Sequence, residues 1–83
     1  MDTLFEAKKA ILNWYSDSYI SVGKIITDMQ LINLKTNIRN REVAKRLGEG
    51  LDSLIAEGYL ELNPNKHIAL TQKGYDYIMK NKL

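Results

Sequence analysis

The chain predicts an α+β fold, mostly helical, in a single domain spanning 1–83. Two rhythms in the sequence carry that prediction. Apolar residues recur at helical spacing, most clearly at Val43, Leu47, Leu51, Leu54 and Ile55, which gather on one side of a helix at about 100° per residue. After Gly58 the period falls to two, at Leu60 and Leu62 and again at Ile68 and Leu70. The turn-forming run Asn63-Pro64-Asn65-Lys66 separates these alternating stretches, as in a β-hairpin.

Taken in order, the first element is a helix over 3–15. Asp2 stands where an N-cap belongs. Leu4, Phe5, Ile11, Leu12 and Tyr15 share a face, with Trp14 beside it. Ser16, Asp17 and Ser18 read as a turn, and Tyr19 and Ile20 as a very short strand. Ser21 is placed to cap a second helix over 22–33, with Val22, Ile25, Ile26, Met29 and Ile32 on its buried side. A polar turn, Lys35-Thr36-Asn37, leads to a third helix over 38–57. Asn37 or Asn40 caps it, and Gly58 stops it.

Gly48 and Gly50 lie inside that third helix, each costing about 1 kcal/mol relative to alanine. Close approach of a neighbouring helix is the expected reason for them, and a bend is the alternative. Reading Glu42–Gly48 instead as the first of two helices leaves too little chain before Gly58 for the second. The hairpin occupies 59–70. Because two strands alone are barely stable, it is expected to lie against the helices, with Leu60, Leu62, Ile68 and Leu70 inward. Thr71 caps a last helix over 72–81, Leu70 and Tyr75 take the hydrophobic-staple positions, and Tyr75, Ile78 and Met79 face inward.

Hydrophobic and charged contents of 45% and 27% are those of an ordinary globular chain. Cysteine is absent, so neither a disulfide framework nor a thiolate metal site is available. No apolar run approaches the roughly 18–20 residues of a membrane span. The start, MDTLFEAKK, has no basic region followed by an apolar core, so no secretory signal is expected and a cytoplasmic location is.

Net charge is only +2, but it is unevenly distributed. Lys35 to Arg46 holds five basic residues against Glu42 alone, for +4, leaving −2 on the rest. The order along the third helix is also unusual. Arg39, Arg41, Lys45 and Arg46 crowd its start, while Glu49, Asp52 and Glu57 crowd its end. The helix dipole favours the reverse order, so helix stability does not account for it. A helix that meets phosphates and base edges with its leading turns does. The plain alternative is a solvated face with local pairs, Glu42 with Arg46 and Lys45 with Glu49.

Helix, strand, helix, helix, hairpin, helix is an order that resembles a winged helix-turn-helix domain: a three-helix core, a β-hairpin wing and a C-terminal helix. The stretches LDSLIAEGYLEL and NPNKHIALTQKGYDYI carry the resemblance, through Leu51, Leu54, Gly58, Tyr59 and Leu60, then Leu70, Thr71 and Gly74. They look like the C-terminal half of small bacterial, archaeal or phage regulators. The match covers about 37–79; before it only the order of elements agrees.

The resemblance implies sequence-specific binding of double-stranded DNA by a transcriptional regulator. Its third helix would enter the major groove, and its wing would lie on the backbone or minor groove. Carried over, Asn37, Arg39, Asn40, Arg41 and Lys45 would meet bases and phosphates; arginine and asparagine are the types that read guanine and adenine edges. Lys35 and Arg46 would meet phosphates, as would Lys66 at the wing tip, with Asn65 and His67 beside it.

Other chemistry finds no motif. His67 is the only histidine, and without cysteine no zinc ligand set forms. The Gly-Glu-Gly run lies in a helical pattern with no preceding strand, unlike a phosphate loop. No nucleophile stands beside a base. The chain is therefore expected to be a non-enzyme without metal or cofactor. A homodimer through the first and last helices, using Phe5, Trp14, Tyr77 and Leu83, would double a DNA site. The competing expectation is a protein-interaction module, an inhibitor, adaptor or complex subunit, whose basic patch meets an acidic protein surface.

Overall fold

The computed structural model describes residues 2–17 and 21–81. The elements follow in the order α1 (Thr3–Asp17), β1 (Ile25–Ile26), α2 (Asp28–Asn37), α3 (Arg41–Lys45), α4 (Leu47–Ala56), β2 (Leu60–Leu62), β3 (Ile68–Leu70) and α5 (Gln72–Asn81). The fold is α+β and mostly helical, with a three-stranded antiparallel sheet in the order β1-β3-β2. None of the described helices is long and apolar enough to cross a membrane.

Helix α1 forms where its sequence predicts but is longer: Ser16 and Asp17, expected in a turn, continue the helix to Asp17. The Asp2 carboxylate accepts from the Leu4 and Phe5 amides, both at 3.1 Å. Ala7, Ile11, Leu12 and Tyr15 form its buried stripe, which packs chiefly on α4. Phe5, expected inside, is half exposed. The Tyr15 hydroxyl donates to the Ile68 carbonyl at 2.8 Å, tying α1 to the sheet.

The second helix departs from its predicted range. It begins at Asp28, not at 22, and Thr27, not Ser21, caps it. Thr27 and Gln30 make a reciprocal capping box: the Gln30 amide donates to Thr27 Oγ1, and the Thr27 amide donates to Gln30 Oε1. Ile25 and Ile26 are thereby left to pair with Ala69 and Ile68 as a third strand, a role suited to β-branched residues. The Gly23 amide, bonded to Leu70 O, starts that pairing. Val22, Met29 and Ile32 are exposed, contrary to expectation, while Ile26 is fully buried. The strand expected at Tyr19 and Ile20 lies outside the described residues, as does Leu83.

The third helix is not continuous, and the two-helix reading set aside above is the nearer one: ten residues, Leu47–Ala56, do form a helix before Gly58. α3 ends at Lys45 and α4 starts at Leu47, with Arg46 between them at φ −93° and ψ 7°. The Arg46 amide reaches back three residues to Val43 O, a tightened turn that interrupts the four-residue ladder. Gly50 has the expected steric reason: a Cβ there would lie 3.2 Å from both Ala7 Cβ and Lys8 N on α1. Gly48 faces open space. Gly58, at φ 87°, closes α4. Its amide bonds Ile55 O and that of Tyr59 bonds Leu54 O, the paired bonds of a Schellman motif.

The hairpin pairs Leu60 with Leu70 and Leu62 with Ile68. Leu60 and Leu70 are buried, but Leu62, expected inward, is exposed at the end of the edge strand. The Leu-Thr-x-x-Gly run has a direct physical purpose. Thr71 Oγ1 lies 2.6 Å from Gly58 O and 2.9 Å from Tyr59 O, and it accepts from the Gly74 amide at 3.0 Å. One hydroxyl thus caps α5 and fixes it to the end of α4. A Cβ on Gly74 would overlap Tyr59 O. Ile78 is buried and Met79, also expected inward, is half exposed.

Candidate nucleic-acid interface

The basic run Lys35–Arg46 crosses the junction between α2 and α3. Ile38 caps α2 in an extended conformation, its amide bonded to Lys35 O, and its side chain packs on the core. Anchoring Ile38 turns the flanking polar residues outward. Lys35, Asn37, Arg39 and Arg41 are all exposed. None of these three cations is in an ion pair among the described residues. Val43 is the buried residue of α3. Arg41 and Lys45, four apart, project together from the helix's outer surface.

Two other residues of the run serve the fold. Asn40 caps α3: its Oδ1 accepts from the Glu42 and Val43 amides at 3.0 and 3.3 Å. Reading an adenine edge needs both the oxygen and the amino group of an asparagine, and the oxygen is already engaged. Arg46 is held more firmly. Its Nη2 lies 2.9 Å from Glu49 Oε2, its Nε also donates to that oxygen, and its Nη1 donates to Thr3 Oγ1 at 3.1 Å. Arg46 therefore staples the α3–α4 junction to the start of α1.

The break at Arg46 also changes the local pairs. Glu42 lies 3.8 Å from Lys45, and Glu49 pairs with Arg46, both three residues apart. The four-residue pairs expected from an unbroken helix do not form. The Glu42–Lys45 contact is long and both side chains are exposed, so it holds Lys45 weakly.

Asn65 and Lys66 sit on the hairpin tip, exposed. The tip is built by Asn63. Its Oδ1 accepts from the Asn65 and His67 amides, both at 3.0 Å, and its carbonyl accepts from the Lys66 amide at 2.9 Å. Lys66 has φ 65°, the left-handed residue that follows the turn in a bulged hairpin. His67 is half-buried.

The structure thus gathers Lys35, Asn37, Arg39, Arg41 and Lys45 into one exposed run, sets Asn65 and Lys66 on a separate element, and withdraws Asn40 Oδ1 and Arg46 into the scaffold. Comparison with protein-family models, curated proteins and solved structures returned no match.

Sequence reasoning missed two lysines that hold the end of α4. Lys8 pairs with Glu57. Lys73 Nζ donates to Glu57 O at 2.6 Å and lies 4.8 Å from the centre of the Tyr59 ring. The spacing of these residues in the chain gives no signal for such contacts. Lys8 and Glu57 border a cleft of about 100 Å³ with Phe5, Leu12, Leu54 and Tyr77 in its walls, well below the roughly 300 Å³ at which pockets hold drug-sized molecules.

Proposed function

We propose that the protein binds double-stranded DNA as a winged helix-turn-helix regulator. The α3–α4 segment would be the groove-reading helix and the β2–β3 hairpin the wing. The observation that carries this reading is the exposed, largely unpaired set Lys35, Arg39, Arg41 and Lys45, backed by a segment whose apolar side is buried on α1. Helix, strand, helix, broken helix, hairpin and helix, with the first strand paired to the far strand of the hairpin, is compatible with that layout. Asn37 is the uncommitted amide of the run, and Asn65 and Lys66 supply a second contact from the hairpin. The reading assigns no catalytic step, metal or cofactor.

Within this set, Arg41 and Lys45 are the groove-facing pair, while Lys35, Arg39 and Lys66 meet phosphates. A selection from random duplex DNA at near-physiological salt should enrich a motif. Arg41→Ala and Lys45→Ala should each remove most binding to it while leaving the melting temperature close to that of the parent, since neither side chain supports the core. Parent-like binding by both variants would overturn the assignment of the reading helix.

A further inference from the structure

Helix α2 is apolar on two opposite sides. Leu31 and Leu34 pack half-buried on the core. Met29 and Ile32 are 66% and 57% exposed, and at about 100° per residue they project roughly opposite to the leucines. A surface helix normally has one apolar stripe, and a helix apolar all round is covered all round. The outer stripe continues through Asn33 and Thr36, both exposed and uncharged.

Charge lies along one flank of this stripe. Asp28 and Lys35 are seven residues apart, so both project from the same side of the helix. Both are exposed, and neither is in an ion pair among the described residues. Their signs also suit the helix dipole, but that does not account for Met29 and Ile32 in water.

We infer that the outer face of α2 is a contact with a second copy of this chain, the two α2 helices packing antiparallel about a two-fold axis near Ile32. In an isologous antiparallel pair, like flanks face one another. Asp28 then meets the partner's Lys35, and Lys35 meets the partner's Asp28, beside a shared stripe of Met29 and Ile32. A parallel two-fold pair would set the Asp28–Lys35 flank of each helix against the uncharged Gln30 and Asn37 flank of the other and leave both charges unmatched. A ten-residue helix is only about 15 Å long, so the contact is smaller than the roughly 1,200 Å² of a stable interface, and association is weak. This contact lies on the second helix, not on the first and last, and it forms in the free protein; Lys35, assigned above to a phosphate, exchanges the partner's Asp28 for that phosphate when duplex binds.

The absence of cysteine makes the test direct, because any disulfide in a single-cysteine variant joins two copies. Ile32→Cys should form a disulfide-linked dimer under mild oxidation, at least about tenfold faster than Asp52→Cys on α4. In the Ile32→Cys background, Asp28→Lys and Lys35→Asp should each slow cross-linking about five- to tenfold, as two attractions become two repulsions. Combining the two reversals should restore it. Equal cross-linking at positions 32 and 52, or a double reversal no faster than the single ones, would overturn the contact.

Discussion

Lys66 and Arg46 show how two cations of one basic chain take different roles. Lys66 sits at φ 65°, a conformation that costs an L-residue about 1–2 kcal/mol. Glycine there would relieve that cost, offset in part by its greater freedom when unfolded. Lys66→Gly should therefore leave the denaturation midpoint equal to or slightly above that of the parent, yet lower duplex affinity several-fold. A variant that loses stability and keeps its affinity would place Lys66 in the scaffold instead. Arg46, bonded to Glu49 and Thr3, already belongs there.

At the scale of elements, the two glycines of α4 separate sharply. Gly48 borders open space, whereas a Cβ on Gly50 would press on Ala7 and on the α1 backbone. Gly48→Ala should stabilise the fold by about 1 kcal/mol. Gly50→Ala should destabilise it by about 1–3 kcal/mol, as overpacking does. Urea titrations of both variants read the two signs directly.

Features held by near neighbours were legible in the sequence: the Asp2 cap, the Gly58 stop, the hairpin around Asn63 and the Thr71 cap. The start of α2 was legible too, since Thr27 and Gln30 have capping-box spacing. The apolar run from Val22 to Ile32 masked it, because a strand of two isoleucines and a helix turn look alike at that length. A break in this stretch was an open alternative, but its position at Arg46 was not legible. It accompanies a hydrogen bond to Thr3, 43 residues away, and no local pattern records that distance. For the same reason Arg46 read as a free cation, while Lys35, Arg39 and Arg41 are exposed, as their place in a polar run implies.

Across the whole molecule, Tyr15 joins the helical layer to the sheet through its bond to Ile68 O. Burial pushes its phenol above the usual tyrosine value near 10. In the unfolded chain the phenol ionises above pH 10, while in the fold it stays protonated. The unfolded state then binds fewer protons, so stability falls as pH rises through that range. Tyr15→Phe should be about 1 kcal/mol less stable than the parent near pH 7, and the gap should close as pH approaches 11. A gap independent of pH would mean that the phenol is solvated in the fold.

The charge asymmetry of the molecule sets its most direct test, the dependence of duplex affinity on salt. With Lys35, Arg39 and Lys66 on phosphates, a plot of log affinity against log salt should fall with a slope of about −3, and each of Lys35→Ala and Arg39→Ala should flatten it by about one. A slope near zero, or no measurable duplex binding even at low salt, would contradict a DNA-facing role for this surface.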